Sequence, residues 1–169
     1  FYAPAQLVRD ARAHGVKVLP VDVSGSDWAC TLEPQPGQRL WPVRLGLNRI
    51  GGFPHEAALR LQAARAEAPF VSPEDLARRA ALDAGHLALL AQADALASLT
   101  GHRHQAAWAV AGVDTRATPM LKATRTHETP VALAAPGAAQ TMLADYRATG
   151  LSLTQHPLAL LREQLAAFK

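Results

Sequence analysis

Apolar and polar positions follow two different patterns along the chain, and the change between them lies near residue 46. Before it, one short amphipathic helix over 4–14 is followed by apolar residues at β-spacing among turn-forming residues. After it, apolar residues recur every three to four positions, the spacing of helices packed on a core. We therefore predict a mainly α (α+β) fold, with a small β-hairpin region, then a helical bundle and C-terminal helices.

The element boundaries come from turn and capping residues that interrupt these patterns. Two or three short strands are predicted within 16–45, the last two paired as a hairpin across a Pro/Gly-rich loop. The helices predicted beyond residue 46 cover 54–68, 73–80, 84–93, 104–111, 138–149 and 158–168. The stretch 113–137 is predicted to be a linker, because it holds three prolines and no sustained periodicity.

Composition limits the classes of protein that remain. The chain has 169 residues, 49% of them hydrophobic, and a net charge of +3, which is too small to indicate nucleic acid by itself. The single cysteine, Cys30, can form neither an internal disulfide nor, alone, a thiolate metal site. No apolar run approaches the ~18 residues of a membrane-spanning helix, and no signal peptide is present. We expect a soluble, cytoplasmic protein, and the missing initiator Met indicates a segment of a longer polypeptide.

One motif indicates a specific chemistry. Ile50-Gly51-Gly52-Phe53 places a glycine turn between two apolar residues, directly before a predicted helix. Glycine allows positive φ and close approach to a phosphate, whose charge is met by amide N–H groups and the helix N-terminus. This is the outline of a helix-hairpin-helix hairpin, which binds the nucleic-acid backbone and does not read bases. The predicted helices 73–80 and 84–93 have the spacing of a tandem unit, or else form a bundle packed only for stability.

Five stretches, in order, resemble successive blocks of bacterial C-family DNA polymerases. They are PAQLVRDARAHGVKVLPVDVSGSDWACTLE, LWPVRLGLNRIGG, APFVSPEDLARRAALD, LTGHRHQAAWAV and LADYRATGLSLTQHPLALLR. Three features favour the error-prone, damage-inducible branch over the replicative polymerase III alpha subunit. They are the segment SDWACTLE, the Trp of HQAAWAV and the last of the five blocks.

The resemblance implies a large polymerase whose palm domain performs metal-dependent nucleotidyl transfer. This chain would contain the end of the fingers (1–46), a tandem helix-hairpin-helix DNA-binding region (47–112), a linker (113–137) and helices leading toward an OB-fold domain (138–169). The sequence has no Asp-x-Asp pair to hold two metal ions. We therefore assign no catalytic residue, cofactor or metal site here, expect Mg²⁺ only for the parent enzyme, and expect this fragment alone to be inactive.

The resemblance also implies where DNA is held. Family members carry a pattern of Lys-Gly-apolar-Gly in the first hairpin, whereas this chain has Gly51-Gly52-Phe53-Pro54. We expect the hairpin to keep its fold but to bind phosphate more weakly, because the lysine charge is lost and proline has no N–H. The candidate DNA-binding residues are Arg49, Gly51, Gly52, His55, Arg60 and Arg103. The expected partner is the backbone of double-stranded DNA; a sliding clamp and other mutagenesis-complex proteins would be reached through the parent enzyme, and no membrane is expected.

Other functions stay open at this point. The chain could be a protein-interaction module that docks members of a translesion complex, or the equivalent segment of the replicative alpha subunit. A DNA glycosylase is disfavoured, because the region 69–85 offers acids only at capping positions. The pair His102 and His104 lacks a cysteine or carboxylate in the same loop, so a loop or capping role is predicted for it.

Overall fold

A computed structural model describes residues 2–114, 131–154, 157–162 and 166. The α-helices are α1 (Pro4–Ala13), α2 (His55–Glu67), α3 (Pro73–Arg79), α4 (Ala84–Gln92), α5 (Ala97–Thr100), α6 (Arg103–Ala111), α7 (Ala138–Thr149) and α8 (Pro157–Leu160). The strands are β1 (Val18–Leu19), β2 (Thr31–Leu32) and β3 (Val43–Arg44), with a 3₁₀ turn over Leu47–Arg49. The predicted mainly α fold with a small β component is confirmed.

Two sequence predictions fall partly outside the described residues. The predicted linker is described only at its ends, and 131–137 has no regular structure there. The helix predicted over 158–168 is described as the short α8, and most of its remainder lies outside. The four-residue helix α5 was not predicted, since one turn is too short to show a helical period.

The sheet has the order β1-β3-β2. β2 and β3 pair antiparallel, with Leu32 opposite Val43, so the predicted hairpin is confirmed. β1 pairs parallel to β3 through Val18 opposite Val43. The ion pair from Arg44 Nε to Glu33 Oε1, 2.6 Å long, joins the hairpin strands at one end. Strands this short depend on such contacts, because a small isolated sheet is only marginally stable.

One hydrophobic core runs through both parts of the chain. The largest fully buried residues are Leu47, Leu61, Leu76, Leu87, Leu90 and Leu96, together with Val23 from the sheet region. The sequence analysis predicts that the helices 73–80 and 84–93 form a pair, whereas α4 packs most extensively on α6. The reason is that the buried face of α4, which carries Leu87, Leu90 and Ala91, turns toward the alanine-rich α6. No helix in the described part of the chain is long and apolar enough to span a bilayer.

Capping residues fix where the helices begin. Ser72 Oγ accepts from the Asp75 amide at 3.1 Å at the start of α3. Asp83 Oδ1 accepts from the His86 amide at 2.8 Å at the start of α4. Each cap satisfies an amide that the helix itself leaves unpaired.

The sheet region is fastened to the helices by Arg65 and Gly46. Arg65 on α2 donates to the Val23 and Ser26 carbonyls at 3.1 and 2.7 Å and pairs with the Asp27 carboxylate. Gly46 lies against the backbone of Trp28 and Ala29, where a Cβ would overlap main-chain atoms. Its amide donates to Cys30 Sγ at 3.4 Å. The backbone thus passes from sheet to hairpin with no space for a side chain.

We expect Gly46→Ala to lower the free energy of unfolding by roughly 3 kcal/mol, because a methyl group must displace backbone. Chemical denaturation of both proteins measures the difference. Gly112→Ala is the matched control: Gly112 has a φ of −85° and its Cβ would meet only ordinary contacts. A small, equal effect of both substitutions would show that the Gly46 contact is not tight.

Asp75 supplies a second test, through its ionisation. Burial alone would raise the pKa of its carboxyl, but hydrogen bonds from the Val71 amide, Arg79 and Arg78 outweigh burial and hold the pKa below its ordinary value of 3.8. The side chain is 11% exposed. Ionised Asp75 therefore stabilises the fold above pH 3.8, and this contribution is lost as the pH falls through the lowered pKa.

We expect Asp75→Asn to lower the free energy of unfolding by about 1–2 kcal/mol at neutral pH, since two guanidinium groups lose their carboxylate. Urea titrations of both proteins from neutral to acidic pH measure this. The difference should shrink in acid. A difference that does not change with pH would contradict the role of the charge.

Candidate nucleic-acid interface

Ile50, Gly51, Gly52 and Phe53 form a tight turn directly before α2. The Phe53 amide donates to the Ile50 carbonyl at 3.2 Å, and Gly52 has a φ of +76°, a left-handed conformation that favours glycine. Ile50 and Phe53 are buried, whereas both glycines are exposed. The two apolar residues therefore anchor the turn and leave its glycine backbone at the surface.

The start of α2 adds unpaired donors beside this turn. Pro54 is the N-cap residue and offers no side-chain acceptor, so the amides of His55, Glu56 and Ala57 have no acceptor among the described residues. The Gly52 amide is open in the same way. Open amides at the positive end of a helix dipole form an anion-binding site. The exposed carboxylate of Glu56, in the first turn of α2, lowers the positive electrostatic potential there.

The amide of Gly51 is already engaged. It donates at 2.8 Å to the Ala148 carbonyl, at the C-terminal end of α7. A Cβ on Gly51 would lie 3.5 Å from the same oxygen. Sequence reasoning missed this contact, because no local pattern links positions so distant in the chain. Gly51 therefore shapes the turn, while Gly52 offers the free amide.

Arg49 and His55 flank the turn. Arg49 ends the 3₁₀ turn, and its buried Nε has no hydrogen-bond partner in the described structure. The buried Nε of Arg103 is likewise without a partner in the described structure. The exposed His55 ring packs on Trp28, with centroids 4.7 Å apart. We call Arg49, Gly52, His55 and the open amides of α2 the hairpin surface.

Arg60 has a different immediate role. Its Nε and Nη2 donate to the carbonyls of Ala80 and Ala81 at 3.0 and 3.3 Å. These carbonyls end α3, where Ala81 has a positive φ of 49°. The guanidinium therefore caps the C-terminal end of α3, as basic side chains often do. A DNA contact by Arg60 stays a prediction.

Arg103 is not at the surface, which corrects its place among the predicted DNA-binding residues. Its side chain is 8% exposed and pairs with Asp145 and, at 3.9 Å, with Asp94. Its Nη1 donates to the Gln92 carbonyl at 3.2 Å. Burial raises the pKa of the Asp94 carboxyl, an effect that Arg103 opposes. A buried guanidinium held by two carboxylates has no free face for a phosphate.

The turn between α4 and α5 is covered by other parts of the chain. Asp94 takes a left-handed φ of 57° there. The next carbonyl, of Ala95, accepts from the Val23 amide at 2.9 Å. Ser98, on α5, donates from its amide and hydroxyl to the Asp22 carboxylate at 3.2 and 2.7 Å. The sheet region thus occupies the turn between α4 and α5, whereas the first hairpin stays exposed.

His102 and His104 are engaged with main-chain groups. His102 Nδ1 accepts from the Gln105 amide at 3.2 Å, so the predicted capping role is confirmed at the start of α6. His102 Nε2 and His104 Nδ1 lie 3.2 and 2.9 Å from the Leu133 and Ala134 carbonyls. No three His, Cys, Asp or Glu side chains in the described residues are placed to hold a metal ion. The Mg²⁺ expected for the parent enzyme thus has no fitting ligand set in this part of the chain.

Comparison with known proteins places this geometry in a family. A family model described as the helix-hairpin-helix motif matches residues 15–106, more than half of the chain. Curated relatives named error-prone DNA polymerase match nearly all of it. That of Azoarcus sp. (strain BH72) is 58% identical over 98% of this chain, that of Bordetella parapertussis 51% over 99%, and that of Methylococcus capsulatus 47% over 98%.

The matched relatives are much longer proteins. This chain covers 16% of the length of the Azoarcus and Bordetella proteins and 17% of the Methylococcus protein. The turn at Gly52 and the helix that follows it lie within the residues of the family match. The chain therefore belongs to the helix-hairpin-helix motif family, and the predicted resemblance to a segment of error-prone DNA polymerases is confirmed.

Proposed function

We propose that this chain is a duplex-holding segment of an error-prone DNA polymerase that acts in translesion synthesis and damage-induced mutagenesis. The hairpin surface holds the backbone of the template-primer duplex, and phosphate contacts of this kind position DNA without reading its sequence. The names of the relatives and the helix-hairpin-helix match support a polymerase origin and a DNA partner. The parent enzyme would act in the cytoplasm, where a sliding clamp and other mutagenesis proteins reach it.

One observation carries this proposal: several donors without acceptors converge on one exposed turn. They are the Gly52 amide and the first amides of α2. A phosphate at the turn would accept from them and would lie at the positive end of α2. The turn between α4 and α5 offers no comparable set, because the sheet region covers it.

Nucleotidyl transfer belongs, in this proposal, to a palm domain elsewhere in the parent enzyme. Two-metal phosphoryl chemistry needs clustered carboxylates, and the sequence has no Asp-x-Asp pair. The residues of this chain hold and orient the duplex, so the fragment alone would synthesise no DNA. The division into the end of the fingers, the tandem region, a linker and helices toward an OB-fold domain is part of the same proposal.

We expect the wild-type chain to bind double-stranded DNA weakly and equally for unrelated sequences, with log K falling as log salt rises. Arg49→Ala should weaken binding roughly three- to tenfold at low salt and reduce the salt slope by about 0.9, because one phosphate contact is lost. Fluorescence anisotropy with a labelled duplex between about 50 and 200 mM salt measures both quantities.

Arg39→Ala is the matched control for this substitution. Arg39 is exposed in the loop between β2 and β3 and has no ion-pair partner in the described structure. The Arg39→Ala substitution removes one positive charge, as Arg49→Ala does, but at a residue outside the hairpin surface. The salt slope of DNA binding by this variant should therefore equal that of the wild type. A wild-type chain without duplex affinity would overturn the proposal and favour the protein-docking alternative.

A further inference from the structure

The C-terminal end of α7 is hydrogen-bonded to the turn of the first hairpin. The Ala148 carbonyl accepts from the Gly51 amide at 2.8 Å. A helix leaves its last four carbonyls without partners inside the helix, and that of Ala148 is one of these in α7. The turn therefore supplies a donor to the end of α7, and α7 fixes the position of the Gly51 backbone.

The position of α7 depends on one carboxylate more than on apolar burial. Met142 is the buried residue of this helix. Asp145 lies on the same face, one turn further along, and its side chain is 17% exposed. Its carboxylate accepts from Nη2 of Arg103 on α6 and, at 2.8 Å, from the Ser152 hydroxyl. Because α7 buries little apolar surface, these contacts hold it against the helices beneath.

Arg103 continues the connection to α4. Its Nη1 donates to the Gln92 carbonyl, at the end of α4, at 3.2 Å. The guanidinium is buried, so water cannot readily replace the Asp145 carboxylate if that group is removed. A continuous series of contacts thus leads from the end of α4 through Arg103 and Asp145 to the last turn of α7, and from there to Gly51.

The residues that lead into α7 are fastened to the same part of α6. Gln105 Nε2 donates to the Val131 carbonyl at 2.9 Å, and Gln105 Oε1 accepts from the Leu133 amide at 3.1 Å. His104 Nδ1 lies 2.9 Å from the Ala134 carbonyl. The start of α6 therefore holds both the lead-in to α7 and the helix itself.

We propose that Asp145 is a positioning residue of the first hairpin, and that residues 131–154 complete the DNA-holding unit. This inference rests on the proposed duplex-holding function. Asp145 acts without touching DNA: by holding α7, it keeps the Ala148 carbonyl on the Gly51 amide and so keeps the turn in the conformation that presents the hairpin surface. The unit then extends beyond residues 15–106 of the family match.

The test compares Asp145→Asn with Asp10→Asn in the full chain. Each substitution removes one negative charge and keeps the shape of the side chain, but Asp10 is 74% exposed on α1, where it pairs with His14. In Asp145→Asn, the Gly51 amide proton should shift upfield in NMR spectra and exchange with solvent roughly tenfold faster, because its acceptor moves away. In Asp10→Asn, both quantities should equal those of the wild type.

A second amide shows whether the change is local. The Val43 amide donates to the Lys17 carbonyl at 2.8 Å in the sheet. Its chemical shift should stay at the wild-type value in both variants. A substitution that only lowered the stability of the whole fold would leave the native chemical shift of Gly51 unchanged, and this result would overturn the inference.

Duplex affinity is measured in the same anisotropy assay as above. Asp145→Asn should bind roughly three- to tenfold more weakly than Asp10→Asn, because the turn is no longer pre-organised. The two variants have the same net charge, and neither loses a cation that meets a phosphate, so their salt slopes should be equal. A purely electrostatic effect would instead strengthen binding equally in both.

The outcomes separate this inference from the function on which it rests. If the wild type binds the duplex and Asp145→Asn binds as tightly as Asp10→Asn, the role of Asp145 is wrong and the duplex-holding function stands. If the wild type does not bind while the Gly51 amide shifts in Asp145→Asn, the duplex-holding function is overturned and the positioning of the turn stands.

Arg103→Lys is a second variant, for use if Asp145→Asn does not fold. It keeps a positive charge opposite Asp145, but a lysine cannot reproduce the planar fork that binds Asp145 and the Gln92 carbonyl together. The shift of the Gly51 amide and the loss of affinity should have the same direction and be smaller. A Gly51 amide unchanged in this variant would contradict the proposed series of contacts.

Discussion

The burial of Ile50 and Phe53 is the constraint on which the candidate surface depends. Each apolar side chain contributes about 1.5–3 kcal/mol when it leaves water, so both are held firmly in the core. Two residues separate them, and the chain must reverse between them. Gly52 makes the reversal possible through its left-handed φ, and both glycines of the turn stay at the surface. The exposed donors are thus a consequence of apolar packing beneath them.

Arginine side chains satisfy the ends of the alanine-rich helices. Arg60 binds the carbonyls that end α3, Arg79 binds those of Ala64 and Ala68 that end α2, and Arg103 binds the last carbonyl of α4. Alanine offers no polar atom with which a helix could close its own C-terminus, so neighbouring elements supply donors. These arginine side chains are therefore engaged by main-chain carbonyls within the fold. The net charge of +3 consequently says little about how many cations face a ligand.

The sequence predicts local structure well and long-range contacts poorly. The bounds of α7 agree with the prediction of 138–149, and α2 differs from 54–68 by one residue at each end, because caps and breakers act within one turn. The glycine turn was predicted for the same reason. The burial of Arg103 was not, since it depends on Asp145 from a helix remote in sequence. The choice of the helix that packs against α4 likewise depends on contacts throughout the core, so local sequence patterns did not predict it.

Cys30 gives one of these packing features a practical consequence. It is the single cysteine of the chain, it is exposed, and its sulfur accepts the amide hydrogen of Gly46. A thiol-directed fluorophore or spin label would therefore attach at one position, at the passage from the sheet to the hairpin. A label there would lie beside Gly46, whose amide donates to the Cys30 sulfur. The tight passage at Gly46 can thus be followed in solution without any engineered residue.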